Sequence, residues 1–313
     1  MISDDTEHTL MVAQSLLKHP DDAAAFAGSL AWRLRWWFLG LPAGVGLATA
    51  RACLKLWLGF PPDRSGVYSA GNGPAMRSAL LGAYFREDQD MTERFVTAST
   101  RLTHTDPRAL TGALAVAKLA AWAVQHAPAE PPSAEFVGDL LAKLAPDDRE
   151  WGELVGKMLA AWARGDSVAA FASSLGLSGG VTGYVYHTVP VAVYAWLRHY
   201  GDFRASLEAA LDCGGDTDTV GAIVGALAGG TAGAGGIPED WIAGIIDLPR
   251  SVGLLRNVAF RLGQQKREGQ PLGQVRYFWP AVLPRNLLFL IVVLLHGFRR
   301  LAPPPREGAA CEA

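Results

Sequence analysis

The chain has 313 residues, half of them hydrophobic and 19% charged, with a formal net charge of −2. That apolar content excludes a disordered chain, and that charge excludes a general electrostatic pull towards nucleic acid or an anionic membrane. The length is ample for one large core. Cys53, Cys213 and Cys311 lie far apart and are odd in number, so neither a disulfide framework nor a zinc ribbon fits. A reducing cytoplasm is therefore the expected location. The start carries Asp4, Asp5 and Glu7 in place of a basic stretch and an apolar run, and no signal peptide is expected.

Along the chain, apolar residues recur at spacings of three and four, which predicts helices at Thr6–Leu17, Ala23–Phe38, Ala75–Phe85, Leu110–Gln125, Phe136–Leu144 and Leu154–Trp162. Proline and aspartate turns at 19–22, 59–63, 128–133 and 145–148 punctuate the chain, each with an Asp or Ser placed to cap a helix that follows. Strands of period two and fixed-period repeats are lacking in the sequence, so the expected fold class is all-α. Residues 1–250 read as one domain, 251–301 as a helical extension and 302–313 as a disordered tail.

Two segments have the look of membrane spans. Thr219 to Ile237 is uncharged, but its many glycines make it a poor helix in lipid. Gly221, Gly225 and Gly229 recur every four residues, a smooth stripe that suits a buried helix of a soluble protein as well as a membrane helix. Leu287 to Leu295 is too short to span and is closed by His296, Arg299 and Arg300. A span is expected of neither; for the basic, apolar C-terminal helix, contact with a membrane surface outranks a span.

The motif richest in chemistry is Gly214-Gly215-Asp216-Thr217-Asp218-Thr219, just ahead of the glycine-striped helix. Its carboxylates and hydroxyls are the oxygen donors that hard divalent cations take, and the glycines permit a sharp turn that lets them converge. One aspartate is enough for an N-cap; the second is surplus, which favours a metal site over a bare cap. Ser3-Asp4-Asp5-Thr6-Glu7 is open between ligand and cap, because Asp4 and Glu7 have capping-box spacing. Pairing two such helix starts in one chain raises the metal reading. Gly71-Asn72-Gly73-Pro74 ahead of a helix is a bend whose N–H groups can hold phosphate, although most such turns bind nothing. His104 at a turn could orient a substrate or be structural, and Tyr184, approached by Gly179, Gly180 and Gly183, could stack on a ligand or pack in the core.

In order and rough spacing these motifs resemble those of the ADP-ribosylglycohydrolase family. Ser3-Asp4-Asp5-Thr6 is similar to its [ST]-D-D-T motif and Gly71 to Arg77 to its G-N-G-x-x-M-R segment. Thr103-His104 is similar to its T-H element, and Gly214 to Thr219 to its G-G-D-[TA]-D-T signature. The resemblance implies a compact single-domain helical bundle with a central cleft holding two Mg²⁺ ions, with Mn²⁺ as a substitute. Ser3, Asp4 and Asp5 would bind metal from one side and Asp216, Asp218 and Thr219 from the other, with Asp5 and Asp216 as the catalytic carboxylates. Gly71, Asn72, Gly73, His104, Gly183 and Tyr184 would hold the ADP-ribose.

The implied reaction is hydrolysis of the bond between ADP-ribose and a protein side chain or other acceptor, with no nucleic acid as partner. The alternatives are a catalytically impaired member that binds ADP-ribose or is structural, and an unrelated metal phosphohydrolase. One departure bears on this choice. The family pattern opens with a helix carrying a G-D-x-x-G-x-x-x-E segment, for whose glutamate the chain shows no obvious replacement. Apolar surface is expected to be exposed where that helix would pack, and an extended chain is expected to be more stable and more active.

Overall fold

Asp22, Ser133 and Asp148 cap the helices after three of the marked turns, whereas the turn at 59–63 leads into a short 3₁₀ turn, Pro62–Arg64, with Asp63 inside it. The computed structural model describes residues 1–126 and 130–301; the tail from 302 expected to be disordered lies outside them. In chain order the helices are α1 (Asp4–Lys18), α2 (Ala23–Leu39), α3 (Leu47–Trp57), α4 (Ala79–Tyr84) and α5 (Gln89–Arg101). There follow α6 (Pro107–His126), α7 (Ala134–Ala142), α8 (Arg149–Arg164), α9 (Val168–Ser174) and α10 (Val185–Arg198). The last are α11 (Phe203–Leu211), α12 (Thr217–Ala232), α13 (Glu239–Ala243), α14 (Val252–Glu268) and α15 (Val282–Leu301). Among the described residues there is no strand, only isolated bridges such as Gly71 with Tyr184 and Val181 with Gly215. The fold is all-α.

Asp22 caps α2 by accepting from the amides of Ala24 and Ala25, and Asp148 caps α8 by accepting from Trp151 N at 3.1 Å. Ser133 does the same for α7. Each such bond satisfies an orphan N–H of the first turn and is worth about 1 kcal/mol. The single helix expected over Ala75–Phe85 is divided into a 3₁₀ turn at Ala75–Arg77 and α4. At the break the buried Arg77 side chain turns inward, donating to Ser99 Oγ, Ser99 O and Thr103 Oγ1 at 3.0, 2.9 and 2.7 Å. Its guanidinium is thus hydrogen-bonded within the core rather than left bare.

Two apolar clusters make the core. One gathers Trp151, Phe171, Tyr186, Tyr194 and Trp196 around α8, α10 and α12. The other gathers Leu16, Phe26, Trp37 and Phe95 around α1, α2 and α5, and receives Leu254, Val258 and Leu262 of α14. Burying each large side chain contributes roughly 1.5–3 kcal/mol before chain entropy is set against it. Helix α6 joins the two, giving Val116 and Leu119 to the first cluster and Ala113 and Ala117 to the second. The glycine stripe of α12 faces α11: a Cβ at Gly221 would stand 3.2 Å from Leu211, and one at Gly225 3.7 Å from Leu207. The smooth face thus receives another helix of the same chain. No helix among the described residues is long and apolar enough to cross a membrane.

This packing sets the N-termini of α1 and α12 side by side, where the two clusters meet.

Candidate active site

Neither of those helix starts is capped by a side chain. Ser3, at the N-cap of α1, donates its hydroxyl instead to Asp5 Oδ2 at 2.8 Å. Asp216, at the N-cap of α12, accepts from Asn72 Nδ2 at 2.6 Å. Their carboxylates converge: one oxygen from each of Asp4, Asp5 and Asp218 lies within 4.8 Å of the others. Glycine makes the approach of α12 possible. Gly215 has φ +80°, and a Cβ there would stand 2.1 Å from Val181 O. Backbone bonds from Val181 N to Gly214 O (3.0 Å) and from Asp216 N to Val181 O (2.8 Å) lock the loop.

So many carboxylates at one half-buried point cost free energy, and their proton affinities register it. Burial, then Asp5 and Asp218, pushes the Asp4 carboxyl up to about 7. Asp5 is raised by burial, against the hydrogen bond from Ser3. Asp216 is pushed up to about 6 by burial and by Asp218, against the bond from Asn72. Asp5 Oδ1 is buried with no hydrogen-bond partner among the described residues. A buried carboxylate oxygen left bare is expensive unless something positive meets it, and all the donors here are hard oxygens. These residues fit a divalent cation.

Asn72 ties this cluster to the cleft beside it. Its side chain also donates to Thr188 Oγ1 at 3.0 Å, and its amide to Gly183 O at 3.0 Å. That amide is therefore engaged and is not among the free N–H groups expected to cradle a phosphate. Gly183 lies against the cluster, where an added Cβ would be 3.4 Å from Asp216 Oδ2. His104 sits beneath the turn: Cβ atoms at Gly71 and Gly73 would approach its ring to 2.9 and 3.2 Å. Burial holds His104 down to about 3, so it is neutral, and its Nδ1 pairs with Thr103 Oγ1 at 2.9 Å. Its contact with the cleft is through the glycine turn. Tyr184 is half-buried, with Glu150 accepting from its hydroxyl at 2.8 Å and Arg108 donating to it at 3.3 Å.

Four charged residues not anticipated from sequence hold the acidic start of α1. Glu7 does not complete a capping box; it turns into the core, where Arg250, Arg285 and Trp37 Nε1 all donate to it. Arg285 donates to Asp247 at 2.6 Å and to Ile2 O at 2.6 Å, and Asp247 accepts from Ile2 N at 2.9 Å. Asp247, Arg250 and Arg285 stand more than two hundred residues from Ile2 and Glu7 in sequence, so no local signal could have found these contacts. Beside Asp5 and Thr6 an apolar groove of about 340 Å³ runs between α1, α4, α6 and α12, lined by Met76, Leu80, Val124 and Ala222.

A family model described as ADP-ribosylglycohydrolase matches residues 1–270. An uncharacterized protein of Archaeoglobus fulgidus is 31% identical over 250 residues, covering 78% of this chain and 75% of its own. The ADP-ribosylhydrolase ARH3 of Homo sapiens is 28% identical over 216 residues, covering 58% of this chain and 56% of its own. The match thus spans a little over half the length of that vertebrate relative. A solved structure titled ADP-ribosylglycohydrolase-related protein complex superposes with a TM-score of 0.62 at 26% identity, over 86% of this chain and 82% of that one.

Proposed function

Since the chain belongs to the ADP-ribosylglycohydrolase family, whose members act as glycoside hydrolases on ADP-ribosyl linkages, we propose that it hydrolyses the bond between ADP-ribose and an acceptor with Mg²⁺ bound between α1 and α12. The observation that carries this reading is the meeting of uncapped carboxylates: Asp4, Asp5 and Asp218 within 4.8 Å, with a bare buried oxygen on Asp5. Ser3, Asp4 and Asp5 would hold metal from one side and Asp216, Asp218 and Thr219 from the other. Bound there, Mg²⁺ would supply positive charge that lowers the pKa of water and would hold the ribose hydroxyls in place.

The chain's own residues do the rest. Asn72 fixes Asp216 through Nδ2, so the carboxylate can orient the attacking water and take its proton. The free amides of the Gly71–Gly73 turn approach the diphosphate, and His104 beneath keeps the turn in place. Gly183 leaves room for the ribose next to Asp216, and the Tyr184 ring offers a face to the base or sugar. Water oxygen bonds to ribose C1, the bond from C1 to the acceptor breaks, and the acceptor leaves with a proton. The free thiols at Cys53 and Cys213 fit action in a reducing cytoplasm.

The test is release of ADP-ribose from mono-ADP-ribosylated serine and arginine peptides, with Mg²⁺ or with EDTA. Release that needs Mg²⁺ and is lost in Asp216→Asn is expected. ADP-ribose binding without release, in folded protein, would contradict hydrolysis and favour a binding-only member. Free phosphate in place of ADP-ribose would mark a phosphohydrolase.

A further inference from the structure

Helix α15 is anchored at one end and bare along the rest. Arg285 and Asn286 are buried at its base, Arg285 in the pair with Asp247 and Asn286 donating to Gly40 O at 2.7 Å. Beyond them the consecutive Leu290, Ile291, Val292 and Val293, which point to different sides of the helix, are all exposed, as is Leu295, to 65%. A helix docking on a protein presents one apolar stripe; one that is apolar on every side is suited to a hydrocarbon solvent. From Leu287 to Leu295 it extends about 13 Å at 1.5 Å per residue, roughly one leaflet of a ~30 Å core.

The surface at its base has the composition of a lipid interface. Trp36 packs edge to face against Trp32, Trp57 and Trp279, with ring centroids 5.8, 6.0 and 5.6 Å apart. Tryptophan favours the boundary between headgroup and acyl chain, where its ring is half wet. The two stretches that build this face, 23–62 and 269–301, contain no aspartate or glutamate. They carry Arg33, Arg35, Arg51, Lys55 and Arg276, in a chain whose net charge is −2. A cavity of about 680 Å³ opens among Trp32, Trp36 and Trp279, with Lys18 and Arg33 in its lining. Arg33 Nε faces no partner among the described residues.

We propose that the protein docks on an anionic lipid surface through this face, with the free half of α15 inserted into one leaflet and the tryptophans and basic residues at headgroup depth. The charge fits phospholipid anions, and each basic residue near such a surface strengthens binding about five-fold. Docking also sets the acidic site near the membrane. The loop from α2 to α3 belongs to the same face, and a Cβ at its Gly44 would lie 3.8 Å from the Asp4 carboxylate.

The test is flotation of the full chain with vesicles of phosphatidylcholine alone or with one quarter phosphatidylglycerol, at low and high salt. Binding to the anionic vesicles, weakened by salt and at least ten-fold weaker on neutral ones, is expected. Ile291→Glu combined with Leu294→Glu should abolish it, and Arg51→Ala should weaken it about five-fold. The melting curves should stay unchanged, because these side chains are exposed. Equal binding to both vesicles, or none to either, would overturn the proposal. So would a lipid-free oligomer, seen by sedimentation velocity, that the double variant dissolves; it would assign the face to a second copy of the chain.

Discussion

Aspartates open many helices of this protein, and they divide into two kinds. Asp22, Asp88, Asp148 and Asp202 each accept a backbone N–H of the first turn and hold an ordinary helix end. Asp216 stands at the same position, the N-cap of α12, and Asp4, Asp5 and Asp218 stand in the first turns of α1 and α12, yet neither helix receives a side-chain cap. The carboxylates of Asp4, Asp5 and Asp218 turn towards one another. The difference teaches where to look for chemistry: a first-turn carboxylate that forgoes its own helix must be repaid by something else. For α1 that includes the Glu7–Arg285 contact; for the cluster as a whole, the proposed cation would do so.

The comparison breaks most severely at Arg285. Replacing it with alanine leaves Asp247 without its arginine partner and Glu7 with fewer donors, both buried, and should cost about 3–5 kcal/mol. Chemical denaturation would read this; a loss under 1 kcal/mol would mean that α1 does not depend on the contact. Next comes the cluster itself. Asp5→Asn should lower the rate of ADP-ribose release by at least about 100-fold while leaving the metal-free fold as stable or more so. A variant with normal turnover would remove Asp5 from the site.

Acidity sharpens the contrast further. Asp4 holds its proton up to about 7 in the folded protein, against an ordinary value of 3.8. Its contribution to stability is complete below the ordinary value and is lost as pH rises through the folded one. Metal-free protein should therefore melt at lower temperature at pH 8 than at pH 5, Asp4→Asn should flatten that slope, and Mg²⁺ should restore the loss. The smallest effect belongs to an ordinary cap: Asp202→Ala should cost about 1 kcal/mol and leave turnover unchanged.

The sequence discloses these features unevenly. The amphipathic helices and their caps at Asp22, Ser133 and Asp148 are legible because period and capping chemistry are local. Helix α10 is harder, since Val185 to Leu197 is largely buried, with Pro190 inside it, and leaves no polar face to set a period. The metal-ligand candidates are legible as motifs, because short runs of oxygen donors are rare beside apolar helices. Glu7 is not: its spacing spells a cap, while its partners Arg250 and Arg285 come from the far end of the chain. For the same reason the seat of His104 under the glycine turn awaits the fold.

The central claim is that the uncapped starts of α1 and α12 form one cation site, and calorimetric titration of Mg²⁺ at pH 7.5 tests it most directly. Wild-type and Asp202→Asn proteins should bind Mg²⁺ alike, releasing the fraction of a proton that Asp4 holds in the metal-free state, and Asp218→Asn should bind it far more weakly. No binding by the wild type, or equal binding by Asp218→Asn, would contradict the account.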